Sequence, residues 1–217
     1  MPPPDGTQRA TLVDGASRLG AGLTAAQADA LLAYLALLAR WNRVYNLTAV
    51  RDPSEMLVHH LLDCLAVVAP LRGRTGGKPA RLLDAGSGAG LPGAVLAVAM
   101  PELEVTCIDA VGKKVAFLRE VAASLALTNL RAEHGRVEDH VGCYDVIASR
   151  AFASLADFVG STRHLRDANG VWMAMKGKPT EGELGALPEG VGVFHVEQLS
   201  VPGLEAERCL VWMSESR

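Results

Sequence analysis

Aromatic residues are scarce, 5% of 217, so the core implied by the 49% apolar content must be aliphatic. The net charge is −3. That gives no overall excess of positive charge, and any contact with RNA or DNA must come from a local basic patch. The four cysteines, Cys64, Cys107, Cys143 and Cys209, stand singly with no C-x-x-C pair. Neither a disulfide framework nor a zinc site is indicated, and they read as reduced core thiols. The apolar runs fall short of the roughly 18 residues that a membrane span requires. The proline-rich start, residues 1–6, does not have the form of a signal peptide. A chain of this length holds one α/β domain and a small appendage, expected in the cytoplasm and away from membranes.

What is present falls into two regions. The first, residues 1–72, is helical in pattern, with a weak helical signal at 8–19. Thr24 and Gln27 form a capping box ahead of a stripe of Leu31, Leu32, Leu35, Leu38 and Trp41. The segment 41–48 breaks that stripe, and Asp52-Pro53-Ser54-Glu55 opens another helix. Residues 72–79, rich in Gly, Arg and Lys, read as a linker. From 73 to 217 strand and helix alternate, with strands expected at 80–85, 104–109, 130–134, 145–149 and 171–176 and helices at 92–100, 113–127 and 154–166. Alternation of this kind predicts a parallel sheet with helices on both faces. The strand patterns at 192–201 and 208–214, joined by a short loop, predict an antiparallel hairpin at the sheet edge.

The segment 81–90 ends the first strand at Asp84 and then places glycines at 86, 88 and 90. Glycines there let backbone approach a ligand where a Cβ would clash, and the carboxyl ends of strands are where open α/β sheets bind ligands. Asp109 ends the next strand and is placed to accept from both hydroxyls of a ribose, with Asp84 near the position of an ammonium. A notch between two carboxylates suits a nucleoside with a cationic tail, S-adenosylmethionine. The motif Gly88-x-Gly90-x-x-Gly93 also matches a dinucleotide loop, but Asp84 would repel a pyrophosphate and no second domain is present to carry a hydride partner. Beyond the third strand, Val137 and Glu138 are placed to read an adenine edge, unless Glu138 is a solvated surface residue. After the fourth, Arg150 can bind a carboxylate or a phosphate, or form a structural ion pair. Phe152 can stack a splayed base or begin a helix as a core aromatic. Lys176 and Lys178 can add a phosphate contact, whereas Lys113, Lys114 and Arg119 read equally as a solvated helix face. His59 and His60 point about 100° apart on a helix, so no metal site is expected, and His60 is placed to hydrogen-bond Asn46 or Asp63.

Five segments together resemble the RsmG (glucose-inhibited division protein B) methyltransferases: residues 41–49, 60–65, 83–93, Gly112-Lys113-Lys114 with Phe117-Leu118, and Ser149-Arg150-Ala151-Phe152-Ala153. The resemblance covers residues 24 to 178, and the first and last segments are the ones specific to that family. It implies a class I, Rossmann-like, S-adenosylmethionine-dependent enzyme. The implied reaction methylates N7 of one guanine in 16S ribosomal RNA, free or within the small-subunit particle. It further implies cofactor contacts at Gly86, Leu91, Val137, Glu138 and Arg150, beside Gly88, Gly90, Asp84 and Asp109 read from the residues themselves. Cys64 and Lys114 stand where the family more often has Ser and Arg. Guanine N7 carries a lone pair and no proton, so no general acid or base is expected; Arg150 and Phe152 are the positioning candidates. A monomer is expected. A methyltransferase of small molecules and a non-catalytic nucleotide-binding module are the alternatives.

Overall fold

In a computed structural model the described residues are 6–150, 152, 154–178 and 180–216. The proline-rich start up to residue 5 and two alanines of the 149–153 segment, Ala151 and Ala153, lie outside them. Helices α1 (Gly6–Arg18) and α2 (Ala25–Tyr45) come first. The capping box at Thr24 forms, and the Gln27 amide also donates to the carbonyls of Val98 and Ala99. One side chain thus starts one helix and caps the end of another, satisfying groups that helix termini leave open. The expected break at 41–48 comes later, because α2 continues to Tyr45 and stops at Asn46, whose left-handed conformation (φ 50°) ends it.

Pro53–Met56 (α3) leads into a π-helical turn at Leu57–Leu62, then α4 (Asp63–Leu65) and α5 (Val68–Thr75). By length and composition the stretch Pro53–Thr75 is apolar enough to cross a membrane, a property not expected from its short apolar runs; 67% of its most apolar window is buried inside the fold. Residues 72–75, expected as linker, are the last turn of α5, closed by left-handed Gly76.

The sheet follows as β1 (Ala80–Ala85), β2 (Leu103–Asp109), β3 (Leu130–His134), β4 (Tyr144–Arg150), β5 (Arg166–Lys176), β6 (Val191–Leu199) and β7 (Arg208–Glu215). Its order is β3-β2-β1-β4-β5-β7-β6. The first five strands are parallel; β7 inserts antiparallel beside β5, and β6 pairs with β7 at the edge. Successive residues point to opposite faces of a strand. Leu82, Val146 and Met173 therefore join the core beneath the N-terminal helices, α6 (Gly93–Ala99) and α7 (Gly112–Ser124), while Leu83, Ile147 and Trp172 join the core beneath α8 (Leu155–Thr162). The helix expected at 154–166 is shorter because Arg166 already belongs to β5. A short α9 (Glu181–Gly185), not anticipated, precedes the hairpin. The N-terminal helices and one face of the sheet share a single core.

Candidate active site

Strand order reverses between β1 and β4, so the loops after these strands flank the crevice where such sheets bind ligands. The loop after β1 turns on Gly86, Gly88 and Gly90, all with positive φ (66°, 59° and 85°). Their roles differ. A Cβ on Gly88 would meet nothing within 4 Å, so this position faces open space. A Cβ on Gly90 would lie 2.4 Å from Leu118 Cδ2 and 2.8 Å from Ala94 Cβ. A side chain at Gly90 would therefore collide with α6 and α7, a packing demand beside its expected place against a ligand. Leu91–Pro92 is a cis peptide.

A cleft of about 260 Å³ is lined by Leu47, Thr48, the backbone of residues 86–89, Leu91, Lys114 and Arg150. The structure therefore brings together Gly86, Gly88, Leu91 and Arg150 of the expected set. Leu47 and Thr48 come from the loop after α2, so the N-terminal region forms one wall. From the same helix the Tyr34 hydroxyl donates to the Ala89 carbonyl at 2.8 Å and ties the glycine loop from behind. Tyr34 falls on the apolar side of its helix, and its role has no separate signal in the sequence.

Asp84 does not line the cleft. It is fully buried beneath the loop, where Oδ2 accepts from Gly93 N–H at 2.8 Å and Oδ1 has no hydrogen-bond partner among the described residues. Burial raises its pKa to about 7. The carboxylates of Asp109 are likewise taken up inside the protein. Oδ2 accepts from Gly88 N–H (2.9 Å) and from Lys114 Nζ (3.3 Å), and Oδ1 accepts from Val111 N–H (2.8 Å). Asp109 thus braces the glycine loop through two backbone N–H groups and the Lys114 ammonium, beside the ribose contact expected of it. Val137 and Glu138 sit in the short turn after β3, outside the cleft; Val137 is buried, and Glu138 is exposed and lies 3.8 Å from Arg136.

Arg150 closes the other end. Its Nη1 donates to the His59 carbonyl (2.9 Å) and to Asp63 Oδ2 (3.1 Å). The π-helical turn makes the first bond available. The Asp63 N–H reaches back five residues to Val58 O, leaving free of it the His59 carbonyl that an α-helix would give it. His60 bonds Thr48 Oγ1 at 2.9 Å, not the expected Asn46 or Asp63; Asn46 instead accepts from Arg51, and Asp63 holds arginines. Burial lowers the His60 pKa to about 4. Phe152 packs on Phe158 (centroids 5.4 Å apart) and lies over Gly86, so its ring stands half-buried between core and crevice. Lys176 is paired with Glu183 at 2.6 Å, which removes it as a free phosphate ligand. Of the other lysines and arginines weighed on α7, Lys114 pairs with Asp109 and Arg119 donates to the Ala132 carbonyl. Among the described residues no three His, Cys, Asp or Glu side chains gather to hold a metal ion.

The family model described as GidB, rRNA small subunit methyltransferase G, matches residues 27–211. The chain belongs to this family. It is 60% identical over 206 residues to the ribosomal RNA small subunit methyltransferase G of Leptothrix cholodnii, with 94% of each chain covered. Against the protein of the same name from Methylibium petroleiphilum it is 58% identical over 203 residues, covering 93% of this chain and 92% of the other. Among solved structures, magnesium protoporphyrin IX methyltransferase from Synechocystis with bound S-adenosylmethionine superposes with a TM-score of 0.61 at 19% identity. That match covers 82% of this chain and 90% of the other and shows the fold, a class I methyltransferase sheet. For this GidB family member the resemblance read from five sequence segments is borne out over most of the chain.

Proposed function

We propose that this chain transfers the methyl group of S-adenosylmethionine to N7 of a guanine in 16S ribosomal RNA, guanine 527 in the usual numbering. By family it is a small-subunit ribosomal RNA methyltransferase that uses this donor; the guanine, its N7 atom and the residue roles are the proposal. The observation that carries it is the backbone-lined cleft at Gly86–Ala89 ending at Arg150, in a chain whose family acts on this RNA. The residues fit the donor. The orphaned, buried Oδ1 of Asp84 lies beneath the loop and favours a cation nearby, and open space at Gly88 leaves room for a nucleoside against the main chain.

Bound there, S-adenosylmethionine supplies an electrophilic sulfonium methyl. Gly86, Gly88 and Leu91 would line its seat, and the nucleoside would extend past the rim of the cleft for Val137 and Glu138 to take the adenine edge, the Glu138 carboxylate accepting from the exocyclic amine. Asp109 Oδ1, with one bond, keeps lone-pair capacity for a ribose hydroxyl, whereas Oδ2 already accepts two. Arg150, fixed by His59 and Asp63, sets the wall between donor and acceptor. Since guanine N7 has an in-plane lone pair and no proton, no residue need remove one. Holding the reactants in line, by Arg150 and Phe152, can supply roughly 7–11 kcal/mol of the barrier. At saturating S-adenosylmethionine, where the bound cation keeps Asp84 ionised, the rate should be nearly flat through pH 6–8. The division into a helical region, 1–72, and a methyltransferase domain, 73–217, action in the cytoplasm without a membrane, and a monomeric state belong to the same proposal.

The test offers methyl-labelled S-adenosylmethionine with small-subunit particles, and separately with deproteinised RNA, from cells lacking this gene. Label recovered as 7-methylguanine supports the assignment, and the better substrate identifies the form of RNA used. Label recovered on another atom, or none transferred to either substrate, refutes it.

A further inference from the structure

A second cleft, about 410 Å³, lies on the far side of Arg150. Phe152, Met175, Lys176 and Arg208 line it, and Arg150 lines both this cleft and the glycine-loop cleft. A methyl donor in one and an acceptor in the other would meet at that side chain. The cations of the second cleft are not equivalent. Arg150 donates from Nη1 alone, to His59 and Asp63, so its Nε and Nη2 have no hydrogen bond among the described residues, and Lys176 pairs with Glu183. Arg208 spends Nε on Asp63 Oδ1 (3.0 Å) and Nη1 on the Glu207 carbonyl (3.0 Å), and its Nη2 has no hydrogen bond among the described residues. Three cations face two paired carboxylates, Asp63 and Glu183, which leaves one positive charge in excess. Open donors remain on Arg150, which both clefts share, and on Arg208, which lines the second cleft but not the first. The Phe152 ring, backed by Phe158, supplies an aromatic wall of the same cleft.

An open guanidinium donor beside an aromatic wall is the chemistry that holds a single nucleotide, phosphate on the cation and base on the ring. Enzymes that act on a base extrude it from its stack into such a pocket. We propose that this second cleft receives the target nucleotide of the RNA, with Arg208 binding a phosphate, Phe152 stacking the base, and Asp63 as the positioning residue that aims Arg208. The inference rests on the reading of the chain as a ribosomal RNA methyltransferase but not on which atom is methylated.

The test measures binding of deproteinised small-subunit RNA to the full chain across salt concentrations, with the demethylated cofactor present and no turnover. Cofactor affinity is measured separately by calorimetry. Arg208→Gln should weaken RNA binding about tenfold and reduce the slope of log affinity against log salt by roughly 0.7–0.9, the loss of one phosphate contact. Cofactor affinity should stay within twofold. Phe152→Ala should weaken RNA binding with the slope unchanged. Arg208→Lys keeps a donor for Asp63 and therefore the fold, but loses the open Nη2, and should weaken RNA binding about threefold. Unchanged RNA affinity in Arg208→Lys and Phe152→Ala overturns the proposal even if Arg208→Gln does not fold. Equal loss of RNA and cofactor binding overturns it too, since that marks a purely structural role. Failure of the N7 assignment would be read separately, from the position of the label in the wild-type product.

Discussion

The Tyr34 hydroxyl reaches the Ala89 carbonyl at 2.8 Å across 55 positions of the chain, joining the second helix to the loop that lines the cofactor cleft. Tyr34→Phe keeps the ring, and its contact with Phe117, but removes the donor and leaves a buried carbonyl short of a partner. Thermal unfolding should show a loss of about 0.5–1.5 kcal/mol. Calorimetry should show weaker binding of S-adenosylmethionine, because the loop is no longer held. Unchanged cofactor affinity would confine this bond to stability.

Two glycines of the loop should part company. Gly88→Ala faces open space at φ 59°, so its cost is the left-handed backbone alone, about 1–2 kcal/mol. Its main effect should be a large loss of cofactor affinity. Gly90→Ala adds a collision with Leu118 and Ala94 and should cost at least about 2 kcal/mol, read as a fall in the denaturation midpoint. Equal stability losses in the two variants would contradict this division.

Asp63→Asn should destabilise the chain by about 1.5–3 kcal/mol, because a carboxylate only 2% exposed gives up charged bonds to Arg150 and Arg208 together. The partial exposure of both arginines keeps the cost below that of a wholly buried pair. Denaturant titration measures it. A change within 0.5 kcal/mol would mean that the two arginines simply turn to water.

Stability should depend on pH through two buried groups acting in opposite senses. His60, held near 4 against an ordinary 6.5, takes up a proton on unfolding between those values. Its contribution is present above pH 6.5 and lost as pH falls toward 4. Asp84, raised to about 7 from 3.8, releases a proton on unfolding in the window between. Its contribution is present below pH 3.8 and lost as pH rises toward 7. The slopes oppose each other from about pH 4 to 6.5, so the unliganded protein should look nearly insensitive to pH there. His60→Asn should expose a fall in stability with rising pH, and Asp84→Asn a rise. Parallel profiles for wild type and both variants would remove the assignment.

The alternation of strands and helices, the glycine loop and the final hairpin were legible because each rests on a local pattern: period-two apolar runs, positive-φ residues, short turns. The exchanged order of the last two strands was not, since pairing across a sheet leaves no mark on either strand alone. That Gly86, Gly88 and Arg150 gather at one cleft was legible because a loop after a strand announces itself, while Leu91 came from the family resemblance. The internal bonds of Asp109 and Asp84 were not legible, because backbone N–H groups such as those of Gly88, Val111 and Gly93 carry no residue identity in the sequence. Asp63 and Arg208 are 145 positions apart, and only the folded sheet brings them into contact. The π-helical turn that leaves the His59 carbonyl for Arg150 has no compositional signature in Leu57–Leu62.

The path of the chain through the second cleft bears on its synthesis. Asp63 belongs to the helices that leave the ribosome early, Arg150 to the middle, and Arg208 to the last strand, which slots between its neighbours β5 and β6 after both have been made. The carboxylate must therefore wait for its second arginine until β7 has emerged. A nascent chain, or one cut short before β7, lacks the arginine that completes the pocket beside the glycine loop. Capture of the donor and capture of the nucleotide would then mature at different moments in the life of a single molecule.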